Sequence, residues 1–168
     1  MTVTRQGWTA FGLAAAIIAS DQLSKYWILE VLRLPEYATH EVLWPLQFTR
    51  IWNQGVSFGL FQAEQDLVRW GLVAFSVGVA GLLIAWARSQ VRFLPALGLG
   101  LVIGGALGNA IDRARFGAVV DFIDVQRLGF FPWIFNIADS GIAIGVTLLL
   151  LDSLRRDARP DALAQERD

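Results

Sequence analysis

Four long apolar runs divide this chain, and polar residues gather between them rather than along them. The runs cover about residues 7–29, 67–86, 93–111 and 130–151. A helix needs about 20 mostly apolar residues to cross a bilayer, and each run approaches that length. No period-2 alternation of the kind a membrane barrel requires competes over these stretches. The pattern predicts four transmembrane helices, and an even number returns both termini to one side. The first run is too long for a signal h-region of about 7–15 residues and is read as a retained span.

Arginines suggest the orientation. The link "RSQVR" carries Arg88 and Arg92 without an acid, Arg5 precedes the first run, and Arg155, Arg156 and Arg159 follow the last. This places both termini and the 88–92 link in the cytoplasm. The bias is moderate, since Arg33, Arg50, Arg69, Arg113, Arg115 and Arg127 lie in or beside the other two connections. A single membrane domain is expected over 1–154, with a disordered cytoplasmic tail over 155–168.

The two outer connections hold the irregular polar chemistry. In the first, "LQFTRIWN" alternates as a strand does. In the second, "AVVDFIDVQ" puts Asp121 and Asp124 on opposite faces of a strand. The third run spaces Gly100, Gly104 and Gly108 four apart, which lets helix backbones approach closely in lipid.

Composition supports a membrane protein. Of 168 residues, 55% are hydrophobic and 17% charged, against about 25% charged in soluble domains. A net charge of −1 provides no basic patch, so no nucleic-acid partner is expected. The absence of Cys excludes disulfides, thiolate metal sites and Cys nucleophiles. With His40 as the one histidine, a His-cluster metal site or a Ser-His-Asp triad is not expected.

The fourth run then raises a question, because "FNIADSG" sets Asn136 and Asp139 one helical turn apart among Phe, Ile and Leu. An ionised Asp at the centre of a membrane helix costs roughly 2.5–3.5 kcal/mol and marks a candidate functional site. With the fourth span starting near Phe130, Asp139 lies toward its outer half, and Asp121 lies in the connection that feeds the same end. Two carboxylates about 3 Å apart cannot both ionise, so one can take a proton from water while the other polarises a carbonyl. Asp121 as a solvated loop acid is the plainer alternative. "DQLSK" places Asp21 and Lys25 on one helix face, as an ordinary ion pair would sit. "WNQGVSFGLF" sets Asn53 in a turn, and "GNAIDRARFG" aligns Asn109 with Arg113. Each is unremarkable alone.

In order, "DQLSK", "WNQGVSFGLF", "GGALGNAIDRARFGAVVDFID" and "FNIADSGI" resemble the lipoprotein signal peptidases (signal peptidase II), aspartyl peptidases of the bacterial inner membrane. The resemblance implies an all-α membrane fold of four transmembrane helices with a small extracytoplasmic sheet and a short interfacial helix. It implies Asp121 and Asp139 as the catalytic pair, with Asn53, Asn109, Arg113 and Asn136 holding substrate or supporting that pair. Gly105 and Gly108 would leave room beside the substrate helix, and Asp21 and Lys25 would be structural or rim residues. The implied substrate is a diacylglyceryl-modified prolipoprotein, cut before its lipidated cysteine near the outer face. Globomycin-type inhibitors and membrane lipid are the other expected ligands, with no cofactor or metal and a monomeric enzyme. Trp44, Trp52, Phe58 and Phe61 suit an interfacial lid.

Three rival readings remain. Asp112, Asp121 and Asp124 are oxygen ligands suited to a hard cation, as in a metal-dependent lipid-headgroup transferase. Asp21 and Asp139 would serve an ion-coupled transporter, although no inverted repeat is evident. A Ser-Lys peptidase needs Lys25 with Ser57 or Ser140, since adjacent Ser24 cannot face it on a helix.

Overall fold

The structure is a computed structural model that describes residues 2–55 and 62–157, with side chains described over 2–55 and 66–155. Ser57, Phe58, Phe61, the Arg156 side chain, Arg159 and the tail from residue 158 lie outside the described residues. Four long helices, α1 (Arg5–Tyr26), α2 (Gln62–Arg88), α3 (Phe93–Phe116) and α4 (Ile137–Asp157), form the body. Four short strands, β1 (Thr39–Leu43), β2 (Leu46–Asn53), β3 (Val119–Asp124) and β4 (Ile134–Phe135), form an antiparallel sheet in chain order.

Among the described residues, three segments are long and apolar enough to cross a membrane: Asp66–Arg88, Phe93–Phe116 and Ile137–Arg155. α1, which carries Asp21, Gln22 and Lys25, is not among them. α2 turns Phe75, Val77 and Leu82 outward, a distribution that suits hydrocarbon rather than water.

α3 is the central helix, and glycines let its neighbours approach. A Cβ on Gly100 would meet the Ala10 carbonyl oxygen at 2.6 Å, and one on Gly104 the Ala14 carbonyl oxygen at 2.8 Å. On the α4 side, Gly98 faces Gly145 and Leu149. The packing reading of the glycine spacing therefore holds. α1 and α3 run in the same direction, and α4 runs against them. The Thr4 N–H donates to the Arg88 carbonyl (3.1 Å), and Arg92 pairs with Asp152. These contacts gather the start of α1, the 88–92 link and the end of α4 at one end of the bundle. The sheet, continuous with α3 through Gly117 (φ +84°) in a left-handed C-cap, lies at the other.

Several boundaries differ from the sequence reading. α1 gives way at Trp27 to a π-helical segment, Trp27–Val31. α3 continues to Phe116, five residues beyond the expected span. The fourth helix starts at Ile137 rather than near Phe130. Pro132 has no N–H to offer a helix, and Ile134 and Phe135 are occupied in pairing with Asp124 and Ile123 of β3. At the other end α4 persists to Asp157, past the expected tail boundary at 155. Among the described residues, the helical pieces outside the four long helices are the π segment and a 3-10 turn at Gln126–Leu128.

Candidate active site

The boundary of α4 explains how "FNIADSG" is tolerated. Asn136 is the residue before the helix, and its Oδ1 accepts the Asp139 N–H at 2.8 Å. Asp139 Oδ2 in turn accepts the Asn136 N–H at 3.3 Å. This reciprocal pair is a capping box, and an acid in the first turn is favoured by the helix dipole. Asp139 is thus a helix-start residue rather than an acid embedded within a span.

Asp121 comes from the middle of β3 and is fully buried. Its Oδ1 accepts from Asn136 Nδ2 at 2.6 Å and its Oδ2 from Asn53 Nδ2 at 3.0 Å. A bulge makes the second contact available. Phe48 pairs with Ile123 but Ile51 with Asp121, so β2 carries one extra residue between them. The extra residue inverts side-chain parity along β2. Gln47 and Thr49 point to Asp124 on one face (both 2.7 Å), while Asn53 points to Asp121 on the other. Asn53 also accepts the Gly55 N–H at 2.8 Å, and Gly55 has φ +83°, which is the turn expected there.

Asn136 therefore touches both acids. Asn109, one turn before Arg113 on α3, donates from Nδ2 to Asp139 Oδ1 at 2.7 Å. Its Oδ1 faces Lys25 Nζ and Asn136 Nδ2, each at 3.3 Å. Burial, and then the neighbouring charge of Asp139, push the Asp121 carboxyl up to about 6, against the donors Asn53 and Asn136. For Asp124 burial acts upward as well. It is outweighed by the Gln126 N–H, Thr49, Gln47 and the Arg127 charge, which hold the group below its usual range.

Asp139 is half-buried and opens onto a cleft of about 350 Å³ lined by Phe131, Phe135, Ser140, Ala143 and Ile144. Arg113 senses the charges of both Asp139 and Asp121. Its Nε is buried without a partner among the described residues, and its head lies beneath Gly55. Trp52 packs on Phe116 with centroids 5.6 Å apart, and Trp44 stands exposed at the β1–β2 turn.

Gly105 does not leave room beside a substrate. A Cβ there would collide with the Ala138 carbonyl oxygen and reach Ile142 Cγ1 at 2.7 Å. Its missing side chain is filled by α4. Gly108 likewise faces Asp21 Oδ2 (2.9 Å) and Ala138 Cβ (3.3 Å).

Asp21 and Lys25 form the expected ion pair at 2.8 Å, but they sit in the interior and not at a rim. Lys25 Nζ also contacts Asp112 Oδ2 at 2.7 Å. Gln22 Nε2 donates to Asp112 Oδ1 at 2.8 Å. Sequence reasoning missed Asp112 and Gln22 in this role. The available signal was that a buried ammonium has three donors to satisfy, more than Asp21 alone accepts.

These contacts bear on the rivals. Asp112, Asp121 and Asp124 are directed to three different sets of partners, and no group of three acidic or His side chains among the described residues could hold a metal. Asp21 is paired with Lys25 and accepts the Ala138 N–H, so it is not a free relay acid. Lys25, clasped by two carboxylates, cannot act as a base toward Ser140, whose Oγ donates to the Asn136 carbonyl at 3.0 Å.

Comparison with known proteins shows which family the chain resembles. The family model described as signal peptidase (SPase) II matches residues 13–155. A lipoprotein signal peptidase of Caulobacter vibrioides is 51% identical over 154 residues, spanning 91% of this chain and 90% of its own length. One from Methylobacterium sp. is 45% identical over 151 residues, spanning 89% and 90%. A bacterial membrane enzyme solved by the in meso method superposes with a TM-score of 0.78 at 28% identity, covering 95% of this chain and 96% of that one. With a family model spanning most of the chain and relatives this similar, the protein belongs to the signal peptidase II family.

Proposed function

We propose that this peptidase, which removes signal peptides from prolipoproteins, works by aspartic chemistry through Asp121 and Asp139. The observation that carries the reading is Asn136, bonded to Asp121 through its side chain and to Asp139 through its capping box. Two acids tied to one asparagine are held as a unit. Asp121 is the more buried, with its carboxyl pushed up to about 6, and Asp139 opens to the cleft. A water between them loses a proton to ionised Asp139 as its oxygen attacks the scissile carbonyl, while Asp121 gives its proton to the carbonyl oxygen. On collapse, the proton on Asp139 passes to the leaving amide nitrogen, and one hydroxyl proton of the tetrahedral intermediate returns to Asp121.

The substrate is a diacylglyceryl-modified prolipoprotein cut before its lipidated cysteine. Its backbone must leave helical pairing at the scissile bond and find new partners, since unpaired groups are costly in hydrocarbon. Arg113 and Asn53 supply donors for that backbone. The apolar cleft beside Asp139 suits lateral entry from lipid, with Trp44 and Trp52 as interfacial cover. All four long helices span the inner membrane, with both termini and the Arg88–Arg92 link in the cytoplasm and the sheet at the outer face. One chain supplies every group in the site, consistent with a monomer.

Cleavage of a lipidated prolipoprotein in detergent by the wild type, Asp121→Asn and Asp139→Asn tests the proposal. Both variants are expected to fold, to bind globomycin-type inhibitor or substrate, and to lose turnover by at least about 10³-fold, on the scale of general acid–base catalysis. Turnover near wild type in either one overturns it.

A further inference from the structure

Behind the two acids lies a second charged cluster that the proposed chemistry does not use. Lys25 is 2% exposed and its partners Asp21 and Asp112 are both at 0%. Taking three charges out of water costs several kcal/mol per ion, and such clusters are often no more stable than apolar packing. Stability alone therefore explains this cluster poorly.

Its connections suggest another role. Asp21 Oδ1 accepts the N–H of Ala138 at 3.0 Å, and Ala138 immediately precedes Asp139. Asp112 Oδ2 accepts the N–H of Val120 at 3.1 Å, and Val120 immediately precedes Asp121. Lys25 Nζ donates to Asp21 and Asn109 and forms an ion pair with Asp112 at 2.7 Å. Asn109 is itself the donor to Asp139. Each of these three partners thus holds one of the two acids or the backbone just before it.

We infer that Lys25, together with Asp21 and Asp112, is a positioning clamp that sets the separation of Asp121 and Asp139. The inference rests on the reading of those acids as the reacting pair. One carboxylate fixes the strand that delivers Asp121, the other fixes the helix start that delivers Asp139, and Lys25 couples the two. A misplacement of about 1 Å in such a pair can lower turnover by about 10²-fold, while substrate binding at the cleft and Arg113 is untouched.

The test is steady-state cleavage of lipidated prolipoprotein by Lys25→Met, Asp112→Leu and Asp112→Asn, with the thermal midpoint of each recorded. The clamp requires kcat to fall about 10²-fold in Lys25→Met and Asp112→Leu with KM within about twofold of wild type. Asp112→Asn keeps an oxygen for the Val120 N–H and should retain at least about ten times the kcat of Asp112→Leu. If Lys25→Met does not fold, the charge-neutral triple variant Asp21→Asn, Lys25→Met, Asp112→Asn takes its place and must show the same loss. Wild-type kcat in folded protein with only a lowered midpoint overturns the clamp, as does an Asp112→Asn no better than Asp112→Leu. Asp121→Asn and Asp139→Asn run alongside separate the two ideas. Their inactivity beside a fully active Lys25→Met sinks the clamp alone, whereas their activity sinks the acid pair.

Discussion

Replacing Asp121 with Asn should remove turnover and, above about pH 6, stabilise the protein. The carboxyl stands at about 6 instead of 3.8 because it is buried and faces Asp139. Between these values the folded protein holds a proton that the unfolded chain has released. Stability therefore falls as pH rises through this window and is flat above it. Two units at about 1.4 kcal/mol each give a penalty of about 3 kcal/mol at neutral pH. Asn carries no such penalty, but its amide meets donors from both Asn53 and Asn136 and loses about one hydrogen bond, roughly 1–2 kcal/mol.

The expected net effect of Asp121→Asn is thus about 1–2 kcal/mol of stabilisation at pH 7.5, turning to a destabilisation of about 1–2 kcal/mol at about pH 3. The swing of about 3 kcal/mol between the two pH values is the sharper quantity, because the hydrogen-bond loss cancels from it. Equilibrium unfolding in mixed micelles, followed by tryptophan fluorescence at both pH values, measures it. In an Asp139→Asn background the swing should shrink but persist, since burial is the larger cause of the shift. A difference between wild type and Asp121→Asn that does not move with pH would refute the buried, proton-holding assignment of Asp121.

Gly105→Ala should destabilise the bundle by about 1–3 kcal/mol through overpacking against Ala138 and Ile142, whereas Gly12→Ala, with nothing within 4 Å, should leave the midpoint unchanged or slightly raised. Asn136→Ala removes both the α4 cap and the link between the acids. A stability loss of about 1–2 kcal/mol should accompany a fall in kcat of at least about 10²-fold, read from melts and cleavage rates on the same preparation. Excess EDTA should leave cleavage unchanged, and metal-dependent recovery after chelation would instead support the rival that groups Asp112, Asp121 and Asp124.

The helices were legible in the sequence because bilayer-length apolar runs have few alternative explanations, and α2 and α3 contain the runs from which they were expected. Span four was misplaced by seven residues because "FFPWIF" reads as hydrocarbon until one knows that β3 has an open edge to pair. β2 announced itself by alternation, but β1, "THEVL", is exposed along its length and has no buried face to create a pattern. The bulge that sends Asn53 to Asp121 depends on pairing, which one strand's sequence cannot display. The motifs singled out Asp121, Asp139, Asn53, Asn109 and Asn136, and the fold links these five in one hydrogen-bonded network. They did not reveal that Asp112 belongs with Lys25, because that contact joins α1 to α3 across 87 residues of chain. Gly105 was misjudged for a related reason: a missing side chain looks alike in sequence whether substrate or a neighbouring helix fills the space.

The backbone donors that Asp139, Asp21 and Asp112 satisfy lie where secondary structure begins, and that placement reconciles a lipid setting with buried carboxylates. Helix ends and strand edges are the positions where backbone N–H groups lack helical partners, so carboxylates there satisfy donors that hydrocarbon would otherwise leave bare. Asp139 does this for the start of α4, Asp21 for Ala138 and Asp112 for Val120. The same bonds immobilise the acids, so the satisfaction demanded by the bilayer also preorganises the site. Three buried side-chain atoms among the described residues remain unpaired: Gln6 Oε1, Arg50 Nε and Arg113 Nε. Gln6 lies at the far end of the bundle. Arg113, beside Asp121 and Asp139, keeps a donor unpaired, and under the function proposed above a peptide carbonyl drawn out of a helix is the acceptor that would need it.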